Sequence, residues 1–146
     1  MALATAAGFA AVTPAQAIQS VSVKLSSGAT RTCSITAITP SVNRTTKVIT
    51  TSATVKCSST GMVSFTLQVV EMDGTAEDPI IQVPEFRKDV SITKANSNTT
   101  FTYATSYKCV STEPDNEELA TKAEIGIGTA WSPIDRVAQT TNTSPC

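Results

Sequence analysis

The chain of 146 residues contains no histidine, and this absence removes many common catalytic chemistries. Ser-His-Asp and Cys-His nucleophile systems need an imidazole to take up a proton, and histidine is also the commonest general base near neutral pH. Zinc sites built on histidine are excluded for the same reason. We therefore expect a protein that is not an enzyme and that needs neither a cofactor nor a metal.

Charge is also scarce, since charged residues make up 16% of the chain and the net charge is −1. Soluble domains usually carry about a quarter charged residues. No stretch concentrates lysine and arginine, so the release of counterions that drives nucleic-acid binding is missing. No apolar run approaches the roughly 20 residues that span a bilayer. We expect no nucleic-acid partner and no membrane span.

The first 17 residues carry no charge and include an alanine-rich apolar stretch. They end in Ala-Gln-Ala at residues 15–17, which fits the small-residue rule for signal-peptidase cleavage. We predict cleavage before Ile18, so that residues 1–17 are a signal-peptide remnant and residues 18–146 form one secreted domain. A complete signal peptide begins with a positive region, and we therefore expect the true start to lie upstream.

Four cysteines are present, at Cys33, Cys57, Cys109 and Cys146. None forms a C-x-x-C pair, so the common thiolate metal arrangements are missing. In an exported chain four such cysteines predict two disulfides. If Cys33 and Cys57 lie opposite each other on adjacent antiparallel strands, Cys109 is left to tether Cys146.

Apolar and polar residues alternate along most of the chain, as half-buried strands require, and helical periodicity is nowhere sustained. The clearest example is Val63, Phe65, Leu67 and Val69, with polar residues between them. The predicted strands include residues 21–25, 33–37, 49–57, 63–69, 90–92, 101–109, 123–131 and 134–140, with a turn at 40–44. Eight or nine short strands without βαβ spacing predict an all-β fold, a two-sheet antiparallel β-sandwich.

Cys57 and the triplet Tyr-Lys-Cys at residues 107–109 resemble the immunoglobulin-like pattern, in which a cysteine follows a corner tyrosine by two residues. The resemblance covers about residues 50–110. It lacks the tryptophan that the family places in the next strand, where Phe65 is the aromatic residue available. This resemblance implies a second possible pairing, Cys57 with Cys109.

In that pairing Cys33 is left to bond Cys146, and the sequence leaves both pairings open. More broadly, the chain is similar to small secreted Ig-like sandwich proteins of Gram-positive bacteria, which combine Thr/Ser-rich strands with a C-terminal cysteine. Many of these proteins have no assigned activity. The resemblance implies a fold and an extracellular location.

Trp131 is the only tryptophan, and alternation with Ile127 and Thr129 predicts that its ring caps the core; the other interpretation is a binding anchor. Carboxylates cluster at residues 73–78 and 113–118, where solvated acidic loops are the simplest interpretation.

The expected function is that of an exported, non-enzymatic sandwich that acts through its surface as a binding, adhesion or envelope-associated module. Its partner would be an extracellular protein or a cell-wall component.

The alternative function is a secreted proteinaceous inhibitor of an extracellular hydrolase. In this hypothesis a rigid loop enters the active site of the target, and preorganisation supplies the affinity. The irregular segment at residues 75–89 is the candidate loop, since it is long enough to protrude.

Overall fold

A computed structural model describes residues 18–73, 76–78, 81–109, 118–133 and 135–140, and these residues form strands and turns without a helix. Accordingly, the described residues offer no helix that could cross a membrane. The strands are β1 (Ile18–Lys24), β2 (Thr30–Asn43), β3 (Val48–Cys57), β4 (Gly61–Asp73), β5 (Ala76–Asp78), β6 (Ile81–Gln82), β7 (Phe86–Ile92), β8 (Thr99–Ser106), β9 (Lys108–Cys109), β10 (Glu118–Ile127), β11 (Ala130–Trp131) and β12 (Asp135–Thr140).

The first sheet has the order β1-β2-β3-β8, and every neighbouring pair is antiparallel. The turn between β2 and β3 begins at Asn43, whose side-chain oxygen accepts the backbone N–H groups of Thr45 and Thr46. Asparagine is favoured at this place because its amide group mimics a backbone turn. This local hydrogen bonding fixes the turn end of the hairpin, and the register shift between Ile38 and Ser41 then brings Cys33 opposite Cys57.

The second sheet has the order β11-β10-β4-β5, and β12 pairs with β10 while β7 pairs with β4. All of these pairs are antiparallel. Strands β6 and β9 form a separate short antiparallel pair. The predicted all-β fold with two antiparallel sheets is confirmed.

The main core lies between the two sheets, in a sandwich-like arrangement. Its buried side chains come from alternate positions of both sheets: Val21, Cys33, Ile35, Ala37, Ala53, Val55 and Cys57 from the first, and Val63, Phe65, Leu67, Ile92, Ala123 and Ile125 from the second. Alternate residues of a strand point to opposite faces, so the period-2 pattern of the sequence places one apolar face inward. Burial of such faces is the main favourable contribution to folding.

The predicted turn at residues 40–44 is wrong, because β2 continues through Pro40 to Asn43. The pairing of β2 with β3 shifts register between Ile38 and Ser41. Proline has no N–H to donate, and strands accept it where a bulge removes the need for that donor. The bulge therefore keeps Pro40 inside the strand, and the turn falls at residues 44–47.

Cys33 and Cys57 form a disulfide, as the first predicted pairing requires. They lie directly opposite each other on β2 and β3, with Cα atoms 4.1 Å apart. The alternative pairing of Cys57 with Cys109, and with it Cys33 with Cys146, is wrong because Cys33 and Cys57, paired on neighbouring strands, are bonded to each other. The predicted Cys109–Cys146 bridge includes Cys146, which lies outside the described residues. Cys109 is not a free thiol.

Candidate functional site

The acidic segments hold no described metal site. Among the described residues no group of three or more His, Cys, Asp or Glu side chains lies close enough to hold a metal ion. Residues 113–117 of the second acidic segment lie outside the described part of the chain.

The segment at residues 75–89, the candidate loop of the inhibitor hypothesis, contributes to three strands. Residues 76–78 form β5 beside β4, residues 81–82 form β6 beside β9, and the end of the segment belongs to β7. The described parts of this segment are thus held in strand ladders.

Trp131 does not cap the core. Residues 128–129 form a two-residue turn between β10 and β11, so that Ile127 pairs with Ala130 and Gly126 with Trp131. Gly128, with φ of +61°, begins this turn, a position where glycine suits tight hairpins. Ile127 and Ala130 pack against the core. Trp131 must then lie on the opposite, outer face.

The indole of Trp131 lies directly over Gly126. A Cβ atom added to Gly126 would come within 2.7 Å of Cδ2 and 2.8 Å of Cε2 of the indole, closer than such atoms approach in proteins. Any other residue at 126 would displace the ring. Glycine is therefore required here because a large ring approaches the backbone, and the indole is held against the sheet.

Arg87 of β7 reaches the same indole across β4. Its Cζ atom lies 4.9 Å from the centre of the Trp131 ring, within the range of a cation–π interaction. Arg87 pairs with Thr66 of β4, and Thr66 is buried although it faces outward. Arg87 is exposed and Trp131 is half-buried. Arg87 and Gly126 thus both contact the indole, which restricts the orientations that the ring can take.

Ser132 fixes the chain directly after Trp131. Its backbone N–H donates to the carbonyl of Ile125 at 2.8 Å, and its buried side-chain oxygen accepts the Ile125 N–H at 3.0 Å. The Ser132 hydroxyl in turn donates to the carbonyl of Pro133 at 3.0 Å. The Ser132 hydroxyl thus replaces the backbone carbonyl that would otherwise accept the Ile125 N–H from a neighbouring strand. These bonds hold the residue next to Trp131 in position.

We call the outward surface around this pair the tryptophan face. Its members share the outer side of the second sheet and are Trp131, Arg87, Ser64, Asp89, Glu124 and Met62. The Ser64 hydroxyl donates to the carboxylate of Asp89. The face therefore combines one flat aromatic ring with a guanidinium, carboxylates and a hydroxyl, all of which can bond to a polar ligand.

Sequence reasoning found Trp131 as a possible anchor but missed Arg87 and Gly126. Gly126 stands between Ile125 and Ile127 in the sequence of its strand, and a glycine inside a strand is a signal of close approach by another group. No sequence signal links Arg87 to Trp131, because their contact depends on the pairing of β7 with β4. Of the four cysteines, Cys33 and Cys57 lie in the core and not on this face. Cys109 is an exposed residue of β9, and Cys146 lies outside the described residues.

No family model, curated protein or solved structure matches the chain.

Proposed function

We propose that the protein is an exported, non-enzymatic binding module that recognises a polysaccharide of the cell wall through the tryptophan face. The observation that carries this proposal is the position of Trp131, which is held by Gly126 and Arg87 on the solvent side of a sheet whose inner side already forms the core. A large ring kept partly exposed in a fixed orientation is a ready contact for a ligand.

A polysaccharide fits the chemistry of the face better than a protein partner does. Sugar rings present C–H groups that pack on an indole and hydroxyls that bond to Arg87, Asp89 and Ser64. A stable protein interface needs about 800 Å² on each side with an apolar centre. Met62, 57% exposed, is the one large exposed hydrophobic side chain on this face among the described residues.

Export, an Ig-like topology and a Cys109–Cys146 bridge belong to the same proposal. The Cys33–Cys57 disulfide supports an oxidising destination, since such bonds are rare in reducing compartments. The low content of charge supports an extracellular surface. The absence of histidine supports a role in binding rather than catalysis.

Retention on insoluble polysaccharides tests the proposal. The disulfide-bonded protein is mixed with peptidoglycan, chitin, cellulose and xylan, and the bound fraction is measured after sedimentation. Trp131→Ala and Arg87→Ala should lower the affinity for the retained polysaccharide by roughly tenfold or more, the effect of losing about 1.4 kcal/mol. The matched controls Ile18→Ala and Arg44→Ala, both at exposed positions off this face, should bind as the wild type does.

Failure of every polysaccharide to retain the wild-type protein would count against the proposal. Equal retention of the wild type and Trp131→Ala would also contradict it, because the tryptophan face would then not be the binding surface.

A further inference from the structure

Strand β8 is an edge of the first sheet. Among the described residues it pairs with β3 alone, so one side of its backbone has no strand beside it. The opposite edge strand, β1, lies close to β10 and β11 of the second sheet, which close that side of the sandwich. The two edges of the same sheet are therefore not equivalent.

The hydrogen bond from Tyr107 N–H to the carbonyl of Lys47, 3.1 Å long, fixes which backbone groups of β8 point outward. In an antiparallel ladder such a bond flanks a pair that exchanges no backbone hydrogen bonds with each other, here Val48 and Ser106. Ser106 consequently directs its own N–H and carbonyl away from β3.

The pattern alternates along the strand, so every second residue of β8 has an outward N–H and carbonyl. The side-chain hydroxyls of Thr54 and Thr100 lie 3.1 Å apart, as expected where side chains of such pairs come close. The residues with outward backbone groups are Thr100, Thr102, Ala104 and Ser106. All four are exposed.

Nothing in the sequence of β8 blocks the addition of another strand. Its eight residues include no charged residue, no proline and no glycine. By contrast, the neighbouring edge β7 carries Arg87, Lys88 and Asp89 in succession, and Lys88 lies over the ring of Phe101 at the open side of the sandwich. Charges on edge strands are a common protection against pairing with another chain. The edge at β8 lacks this protection.

We propose that β8 pairs antiparallel with β8 of a second copy, so that two first sheets join into one continuous sheet. With a two-fold axis beside Tyr103, Thr102 lies opposite the partner's Ala104 and Thr100 opposite the partner's Ser106. All outward backbone groups of β8 then find partners.

A second copy fits this edge because the added strand must be extended and must bring small, uncharged side chains to the outer face. β8 itself meets these requirements, since none of its eight residues is charged. Thr36, Thr54 and Thr100 already lie in register across the outer face, and paired threonines stabilise neighbouring strands. In the proposed dimer Ser106 of the second copy extends this row of hydroxyl side chains.

The test measures the oligomeric state of the disulfide-bonded protein by sedimentation equilibrium from micromolar to millimolar concentrations. Pairing at one edge covers less than a standard interface, so a reversible dimer is expected. Ala104→Lys adds an edge charge, and Ala104→Pro removes an outward N–H without breaking a bond to β3. Each should weaken the dimer by roughly tenfold or more. The matched control Ser20→Lys, at an exposed position on β1, should dimerise as the wild type does.

Circular dichroism checks that each variant is folded, and if Ala104→Pro unfolds the chain, Ala104→Lys decides the question. A wild-type protein that stays monomeric at millimolar concentration overturns the proposal. A dimer that Ala104→Lys leaves unchanged also overturns it, as does one that Ser20→Lys weakens equally. These outcomes do not depend on polysaccharide binding.

Discussion

The hydroxyl groups of Thr51 and Thr121 lie 2.6 Å apart and join the two sheets inside the protein. Both side chains are buried, one on β3 and the other on β10. Thr121 also donates to the carbonyl of Ile38 at 2.7 Å. A hydroxyl has one proton, so the proton between the two threonines must come from Thr51. The Ile38 carbonyl lies at the bulge of β2, where the strand ladder is interrupted.

This chain of bonds predicts unequal effects of two valine substitutions of nearly the same shape. Thr121→Val leaves the Ile38 carbonyl and the Thr51 hydroxyl without these bonds, and it should lower the free energy of unfolding by about 1–3 kcal/mol. Thr51→Val removes a donor while Thr121 keeps its bond to Ile38, and it should cost about 1 kcal/mol or less. Urea unfolding measures both values. Equal costs, or the reverse order, would contradict the assignment of donor and acceptor.

The Cys33–Cys57 disulfide closes a loop with a sequence separation of 24 residues. Such a loop restricts the unfolded chain, and replacing both cysteines with alanine should cost about 3 kcal/mol. Urea unfolding of the double variant measures the loss. A cost below about 1 kcal/mol would show that this bond contributes little to stability.

Peptide mapping without reduction should also recover Cys109 joined to Cys146, and a peptide that joins Cys57 to Cys109 would contradict the account.

The contact between Gly61 and the buried Arg31 predicts that replacing Gly61 with alanine destabilises the protein. Arg31 donates to the carbonyls of Ser59, Gly61 and Met62 at 3.3, 2.9 and 2.8 Å respectively, and so holds the start of β4. Gly61 has φ of +128°, and a Cβ atom there would meet the Arg31 guanidinium at 3.0 Å. Gly61→Ala should therefore destabilise the protein by more than about 1 kcal/mol.

Gly28→Ala is the matched control for this variant. Gly28 also has a positive φ, +85°, but a Cβ atom there meets nothing within 4 Å. Thermal unfolding should show the larger loss for Gly61→Ala. If Gly28→Ala costs as much, the contact with Arg31 has no measurable effect.

Tyr107 predicts how stability changes at alkaline pH. Burial raises the pKa of its phenol above the ordinary value of 10, and the charge of Arg44 opposes this rise. Above pH 10 the unfolded chain loses this proton more readily than the folded protein does, so stability is fully present below that pH and falls as the pH rises through it. Tyr107→Phe should decline less steeply than the wild type in urea unfolding between pH 8 and about 11. Parallel declines would contradict the role of this phenol.

Alternation was enough to predict most of the long strands and the all-β class of fold, because burial on one side of a strand imposes a period of two. The Cys33–Cys57 pair was one of two pairings that the sequence left open. A hairpin turn between the cysteines places them on adjacent strands, and the structure confirms this pairing. The turn predicted at residues 40–44 was wrong because Pro40 lies at a bulge. A bulge depends on how β2 pairs with β3, and the sequence of one strand does not show that pairing.

Trp131 shows why the candidate site was harder to predict than the fold. Alternation in the sequence predicts one strand through residues 123–131. In the structure a turn at residues 128–129 reverses the chain, and the indole therefore lies on the outer face. The partner Arg87 is distant in sequence and meets Trp131 only after β4 has paired with both β7 and β10. A contact that depends on two strand pairings cannot be read from local spacing.

Fluorescence of the single tryptophan tests the central claim most directly, since all tryptophan emission of the protein comes from Trp131. The protein is titrated with soluble fragments of whichever polysaccharide retains it. The account predicts a saturable change of emission that follows the bound fraction, and a weaker affinity for Arg87→Ala. The account is contradicted if the wild type binds the fragments without a change in emission and Arg87→Ala binds them with the same affinity as the wild type. The ligand would then bind elsewhere on the protein.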